Sequence, residues 1–238
     1  MLALGVKAGL GITFVDALDA TLPGAAPVLA TMRATGPTGN LGLGALACTQ
    51  SHARAWRALL DSGAEFGLIL EDDVILSADF TSVISALIAA KPNFDLIKLE
   101  DGGSAKDGLV LGPVLGSYGG RSLRACYQLA TDSAGYIISR KGAAQALDRI
   151  AACNLGVDHF LFHPLNLPNT AGLRFALIVP PVVTQDRADP SDIIRSRYTG
   201  AAWRRKARWL FYELRPAGTM LRALLLRGAR VIKVPFQP

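Results

Sequence analysis

The chain has 238 residues, of which 50% are hydrophobic and 18% are charged, and it carries a formal net charge of +6. This composition excludes an intrinsically disordered chain, and the length suffices for one sizeable hydrophobic core plus an appendage. Three cysteines without a C-x-x-C motif fit a reducing compartment better than a disulfide framework, and they do not suggest a zinc site.

The positive charge is concentrated at the C-terminus. Residues 1–190 hold 14 Lys and Arg against 17 Asp and Glu, a net −3, whereas residues 191–238 hold 11 against 2, a net +9. We therefore divide the chain into a main domain, 1–190, and a basic tail, 191–238.

The chain offers no targeting or membrane-spanning signal that we recognise. The first twenty residues lack the charge and cleavage pattern of a signal peptide, and no segment supplies about 18 uninterrupted apolar residues. We therefore expect a cytoplasmic protein.

The first half of the chain predicts an alternation of helices and strands. Hydrophobic spacing predicts a helix over 49–62, a buried strand over 66–70 and a second helix over 79–90. Partial alternation over 94–99 predicts a strand with one wetter face. Strand, helix and strand in this order indicate a right-handed crossover and a parallel pair of strands.

The second half continues the α/β pattern less regularly. Residues 101–125 are rich in Gly and Ser and predict a loop or an irregular hairpin. A strand over 134–138 leads into a helix that Ser139 caps. Asp158 stands at the start of a short helix, and the apolar segment 175–183 predicts a strand that ends at a pair of prolines.

Three consecutive carboxylates, Glu71, Asp72 and Asp73, directly follow the apolar strand 66–70. Adjacent anions disfavour one another's ionisation unless a cation neutralises them, and hard oxygen ligands suit Mg²⁺ or Mn²⁺. In an extended chain Glu71 and Asp73 point to the same side, which makes them the natural chelating pair. The alternative is an ordinary acidic surface turn.

Five short motifs follow one another along residues 11–195. They are Cys48-x-x-Ser51-His52 with Trp56, Leu70-Glu71-Asp72-Asp73-Val74, Asp95-Leu96-Ile97-x-Leu99, Gly135-Tyr136-Ile137-Ile138-Ser139-Arg140 with Gly142-Ala143, and Val157-Asp158. In order and spacing they resemble glycosyltransferase family 25, which includes bacterial lipooligosaccharide sugar transferases. The resemblance implies a GT-A type α/β/α sandwich and inverting transfer from a nucleotide-diphospho-sugar such as a UDP-sugar. It also implies a divalent metal and a glycolipid or lipopolysaccharide-core acceptor.

One part of the family pattern is missing. Members usually open with a strand and an arginine-containing turn that helps to hold the nucleotide, and nothing comparable precedes residues 12–17, which match the second strand of the family. Two interpretations remain open. One is an active transferase whose first strand lies upstream, and the other is a non-catalytic relative that binds sugar nucleotide or membrane.

The resemblance implies roles for four acidic residues. Glu71 and Asp73, with Asp72, hold Mn²⁺ or Mg²⁺ against the donor diphosphate, or Asp72 instead accepts a ribose hydroxyl. Asp158 is the candidate general base, although an Asp at this position is also typical of a helix N-cap or a further metal ligand.

Two residues are candidates for donor binding. We predict that Ser51 and His52 occupy the first turn of the helix 49–62, where free N–H groups favour phosphate. The alternative is a structural capping or surface role. Trp56 and Tyr136 are interpreted as core residues.

The basic tail predicts an amphipathic helix. One face carries apolar residues, and the other carries cations: Trp203, Ala207, Leu210, Phe211 and Leu214 against Arg204, Arg205, Lys206 and Arg208. This arrangement favours peripheral attachment to the inner face of an anionic cell membrane. The alternative is a helix packed on the domain, and the lack of a recognised motif disfavours nucleic acid.

Overall fold

The computed structural model describes residues 11–32, 34–36, 39–101, 108–186, 198–199, 210, 212 and 214–238. Its helices are α1 (Ala25–Leu29), α2 (Leu43–Ser62), α3 (Phe80–Ala90), α4 (Arg140–Ile150), α5 (Val157–Phe162), α6 (Leu167–Thr170) and α7 (Ala217–Leu226). Its strands are β1 (Thr35–Gly36), β2 (Gly39–Leu41), β3 (Phe66–Leu70), β4 (Val74–Leu76), β5 (Leu96–Lys98), β6 (Leu109–Tyr118), β7 (Arg121–Cys126), β8 (Gly135–Ser139), β9 (Phe175–Val179), β10 (Val183–Gln185), β11 (Tyr198–Thr199) and β12 (Arg230–Ile232).

A mixed seven-stranded sheet in the order β12-β6-β7-β9-β5-β8-β3 forms the centre of the molecule. Strands β5 and β9 are parallel, and the other neighbours are antiparallel. The predicted crossover exists, but β3 and β5 both pair with β8, which lies between them. They run in the same direction without being neighbours, so the predicted parallel pair is wrong. Strand β8 lies in the interior of the sheet, and every one of its residues is buried.

Helices cover both faces of this sheet. On one face, Trp56 of α2 and Ala143 of α4 pack in the same core cluster as Tyr136 of β8. On the other face, Val83 of α3 packs with Ile137 of β8. Because neighbouring residues of a strand point to opposite faces, this alternation along β8 builds two cores. The α/β class with helices on both sides of a sheet is therefore confirmed, while the GT-A type remains a prediction.

Two strand predictions need correction. Strand β3 lies at the edge of the sheet, with Phe66 37% exposed and its other residues partly buried, so it is not the fully buried strand that its apolar sequence predicted. All three residues of β5 are buried, Lys98 included, so the expected wetter face is wrong. The reason is that Lys98 forms a buried ion pair with Glu100.

Helix α2 begins at Leu43, six residues earlier than predicted, and ends as predicted at Ser62, where Gly63 with φ +76° is the C-cap. Ser51 and His52 therefore lie in the third turn, where the backbone N–H groups are already bonded within the helix. Their predicted place at the helix N-terminus is wrong. Any donor contact must come from their side chains.

Residues 11–18 are irregular, so the strand expected over 12–17 from the family resemblance is wrong. The segment lies against α2: Leu18 N–H donates to Ser51 Oγ (2.9 Å), and Arg54 Nη1 donates to the Asp16 carbonyl (2.9 Å). Its polar backbone atoms are thus bonded by helix side chains at these two points.

The remaining element predictions compare well with the structure. Strands β6 and β7 form the irregular hairpin with two shifts of register, and residues 102–107 lie outside the described residues. The Ser139 side chain accepts a hydrogen bond from Gly142 N–H and caps α4 as predicted. Strand β9 ends at Val179, directly before the two prolines.

The C-terminal segment packs on the sheet. Strand β12 pairs with the edge strand β6, and Tyr212 and Val234 are buried at 2% and 1% exposure. The predicted apolar stripe lies largely outside the described residues, since only its Leu210 and Leu214 are described, and both are exposed. The boundary at residue 190 stays a prediction. In the described part of the chain, no helix is long and apolar enough to cross a membrane.

Candidate active site

Polar residues from three strands gather where β3 and β5 end and β8 begins, and we call this end of the strands the polar edge. Because β8 runs antiparallel to β3 and β5, its first two residues lie beside the last residues of these strands: Gly135 pairs with Leu70, and Tyr136 pairs with Lys98. Ser133 Oγ, just before β8, donates to Glu71 Oε1 (3.0 Å), and Ala134 N–H donates to Glu100 Oε2 (2.8 Å). The carboxylates that follow β3 and β5 therefore flank the same short segment.

Glu71 is held firmly by its neighbours. In addition to Ser133, His52 Nε2 lies 3.2 Å from Glu71 Oε1, and Gln185 Nε2 donates to Oε2 (3.3 Å). Burial alone would raise the pKa of Glu71, but His52 and Ser133 lower it overall. Glu71 is therefore an ionised carboxylate of fixed orientation, with a side chain that is 28% exposed.

A buried chain of polar tips supports this carboxylate. Trp56 Nε1–H donates to Tyr136 Oη (2.8 Å), and His52 Nδ1 lies 2.8 Å from the same oxygen. Burial opposes a charged imidazole, but Tyr136, Cys48 and Glu71 raise the pKa of His52 well above its ordinary value. Trp56 and Tyr136 are core residues as predicted, both at 0% exposure, and their polar ends also orient His52.

Asp72 and Asp73 are exposed in the turn between β3 and β4. The predicted pairing of Glu71 with Asp73 assumed an extended backbone, whereas the chain turns here, and Glu71 faces inward. Gln185 nevertheless contacts both carboxylates. Burial, together with the charges of Glu71 and Asp72, raises the pKa of Asp73. Among the residues that the structure describes, no ion pair to Asp72 or Asp73 offsets this negative charge.

Asp158 lies in the first turn of α5, as expected, and Gly156 is the N-cap, so the alternative that Asp158 is itself the N-cap is wrong. Asp158 is buried, and its Oδ1 accepts from His159 N–H (2.8 Å) while Oδ2 accepts from Asp132 N–H (3.3 Å). Asp132 is adjacent to Ser133, which places Asp158 beside the polar edge. Its role as base or metal ligand stays a prediction.

Ser51 faces the irregular segment 11–18 as well as its own helix. Its hydroxyl donates to the Ala47 carbonyl (2.9 Å) and accepts from Leu18 N–H. These contacts give Ser51 a structural role, and its role in donor binding stays a prediction.

A buried ion pair that was not predicted from the sequence lies next to Glu71. Lys98 Nζ lies 3.0 Å from Glu100 Oε2, both side chains are at 0% exposure, and Lys98 also donates to the Asp132 carbonyl (2.7 Å). Burial raises the pKa of Glu100 to about 7 despite the nearby ammonium group. The i, i+2 spacing of Lys98 and Glu100 was a usable signal, because it places both on one side of an extended chain. No comparable signal marked Ser133 or Gln185.

A sheet with helices on both faces and a carboxylate-lined edge defines an α/β protein with the features of a polar ligand site. Residues 5–106 match the family model described as glycosyltransferase family 25 (LPS biosynthesis protein). This match confirms the predicted resemblance to glycosyltransferase family 25. The matched segment contains Cys48, Ser51, His52 and the acidic turn, whereas Asp158 lies beyond it.

Two curated relatives carry the same name, lacto-N-neotetraose biosynthesis glycosyltransferase LgtB. The protein of Neisseria gonorrhoeae is 32% identical over 110 residues, which are 44% of this chain and 39% of the relative. The protein of Neisseria meningitidis serogroup B is 32% identical over 111 residues, 44% of this chain and 40% of the relative. The matches thus span about two fifths of the length of these relatives.

Among solved structures, the crystal structure of mannose-1-phosphate geranyltransferase from Thermus thermophilus matches 56% of this chain and 50% of its own. The sequence identity is 13% and the TM-score is 0.30. At this TM-score the backbones of the two chains differ too much for the similarity to support an assignment of fold or function.

Proposed function

We propose that the protein is an inverting, metal-dependent glycosyltransferase. It transfers a sugar from a nucleotide-diphospho-sugar, a UDP-sugar in our proposal, to a lipopolysaccharide-core or other cell-surface glycolipid. The observation that supports this most directly is the acidic turn within the family segment, where Asp73 has a raised pKa beside the fixed carboxylate of Glu71.

The acidic turn fits a divalent cation. Asp72 and Asp73 are exposed, and the negative charge around Asp73 is one that a cation would offset. In the proposal Glu71, Asp72 and Asp73 would hold Mn²⁺ or Mg²⁺, and the bound ion would supply positive charge to offset that of the leaving diphosphate. Asp72 is alternatively the partner of a ribose hydroxyl.

The remaining chemistry falls to Asp158 and the donor side of the site. The carboxylate of Asp158 takes the proton of the acceptor hydroxyl while the hydroxyl oxygen bonds to the anomeric carbon. The bond from that carbon to the diphosphate breaks, and the diphosphate leaves with the electron pair. Attack from the opposite face inverts the anomeric centre. His52 serves the donor side by orienting Glu71, and Ser51 by anchoring residues 11–18.

A thermal-shift screen of nucleotide sugars, with and without Mn²⁺, tests this proposal. A ligand that binds the native state raises its stability with the logarithm of concentration over Kd. We expect one UDP-sugar to raise the Tm only when Mn²⁺ is present. Absence of a shift with every sugar nucleotide, combined with no transfer to truncated lipooligosaccharide, would contradict the proposal.

Asp158→Asn is expected to lower kcat by about 100-fold or more while leaving donor affinity within about twofold. The amide keeps the shape and one acceptor oxygen but cannot take a proton. Transfer kinetics and donor titration on the same preparation measure both quantities. A variant that melts earlier but turns over normally would assign Asp158 a structural role through its bonds to His159 and Asp132.

We also propose that the protein attaches peripherally to the inner face of the cell membrane. Helix α7 packs on the domain through Ala223, which is 1% exposed, and presents Leu221, Leu225 and Leu226 at 58%, 72% and 74% exposure. Four cations lie in or near this helix: Arg222, Arg227, Arg230 and Lys233. Exposed leucines with flanking cations suit anionic lipid, where each cation adds about 1 kcal/mol.

The double substitution Leu221→Ser and Leu225→Ser is expected to release the protein from anionic vesicles in a sedimentation assay. Both side chains are exposed, so the Tm should change little. Ile88→Ser on α3, a residue at 65% exposure, is the matched control and should leave binding unchanged. Equal binding by the double variant would contradict the membrane proposal. Deleting the whole tail is a poorer test, because it also removes Tyr212 and Val234 from the core.

A further inference from the structure

The geometry points to a second metal site, which shares Glu71 with the proposed catalytic cation site but uses neither Asp72 nor Asp73. We propose that Cys48, His52 and Glu71 bind a zinc-class cation through one sulfur, one nitrogen and one oxygen. One ligand atom from each of these residues lies within 4.8 Å of the other two. Among the described residues, these three form the one cluster of His, Cys, Asp or Glu side chains that is close enough to share a metal ion. The inference does not depend on the transferase activity.

The spacing of the three residues explains how they meet. Cys48 and His52 are four residues apart on α2, so their side chains occupy one face of the helix. Glu71 follows β3, and its carboxylate is fixed against this face. The distance of 3.2 Å from His52 Nε2 to Glu71 Oε1 is close to the edge of a tetrahedron around zinc, about 3.3 Å for metal–ligand distances of about 2.0–2.1 Å.

The chemistry of the three donors favours zinc over manganese or magnesium. A thiolate and an imidazole are ligands of the borderline-soft cations, whereas Mg²⁺ and Mn²⁺ prefer oxygen. One thiolate and one carboxylate balance the charge of Zn²⁺. Three protein ligands leave a fourth position for water or another ligand. The sites of Cys48 and Glu71 are only partly buried, which permits entry.

The surroundings of His52 match the support that metal-binding histidines usually have. Zinc at Nε2 leaves Nδ1–H free to donate to Tyr136 Oη, 2.8 Å away. Tyr136 Oη also accepts from Trp56 Nε1–H, which fixes the phenol in place. Such outer partners orient the ring and are part of a working metal site.

Cobalt titration of the full chain tests the inference, because a cobalt–thiolate bond gives a charge-transfer absorption band. We expect the band to appear at one Co²⁺ per protein and to disappear when Zn²⁺ is added. Cys48→Ser should abolish the band and weaken Zn²⁺ binding at least tenfold. Cys153→Ser is the matched control, a buried cysteine outside the proposed site, and should keep the band.

Alkylation of the wild-type protein gives a test without substitution. Zn²⁺ should slow the modification of Cys48 by iodoacetamide at least tenfold, as measured by mass spectrometry of peptides, and the same concentration of Mn²⁺ should not. A wild type without the cobalt–thiolate band would overturn the site, as would equal alkylation of Cys48 with and without Zn²⁺. Retention of the band in Cys48→Ser would assign it to another cysteine and overturn it as well.

Discussion

Asp73→Asn is expected to reduce kcat/KM for sugar transfer by about 100-fold or more without lowering the melting temperature. The loss follows because the carboxylate is one of the proposed ligands of the catalytic cation. The stability prediction follows from the sign of the pKa shift. The pKa of Asp73 is raised, so its ionised form is disfavoured in the folded state, and removing the charge should leave the Tm unchanged or slightly higher.

Glu71→Gln should behave differently in the same two assays. It also removes a proposed metal ligand, so activity should fall similarly. The pKa of Glu71 is lowered, however, which means that the fold stabilises its charged form, and the substitution leaves His52 without its carboxylate. We therefore expect a lower Tm for Glu71→Gln but not for Asp73→Asn.

Asp61→Asn is the control for both variants. Asp61 is an exposed acid nine residues beyond His52 on α2, about 13 Å along the helix axis, and belongs to no proposed site. Its kinetics and Tm should equal those of the wild type. Full activity of Asp73→Asn and Glu71→Gln would remove the acidic turn from the mechanism.

The acidic turn was predictable because its signal is local. An apolar strand followed by three carboxylates needs no knowledge of distant segments, and the structure places this turn at the sheet edge. The cap at Ser139 and the end of β9 before the prolines are local in the same sense. Each rests on side chains that act on their own backbone within a few residues.

The partners of Glu71 were not predictable, because each comes from a distant part of the chain. Ser133 and Gln185 approach only because β8 lies between β3 and β5 and because β10 pairs with β4. Apolar content alone could not assign β3 to the edge and β8 to the interior. The early start of α2 was hidden by the glycines at 42 and 44, which favour a turn in isolation. Packing on the domain overrides that preference.

The buried ion pair of Lys98 and Glu100 provides a prediction about the stability of the fold. Lys98→Met should lower the free energy of unfolding by about 3–5 kcal/mol near pH 8.5, because it leaves the charge of Glu100 buried without its counter-ion.

The cost of Lys98→Met should shrink toward pH 5.5. The pKa of Glu100 is already raised to about 7, and losing Lys98 raises it further, so below neutral pH the carboxyl group takes up a proton and no unpaired charge remains. Because the folded state binds this proton more tightly than the unfolded state does, stability is retained at low pH and lost as the pH rises through the folded pKa.

Urea unfolding at both pH values measures the difference. Lys91→Met, which breaks the exposed contact with Glu65, is the matched control and should cost less than about 1 kcal/mol at either pH. A loss for Lys98→Met that is equal at both pH values would mean that Glu100 does not titrate in this range.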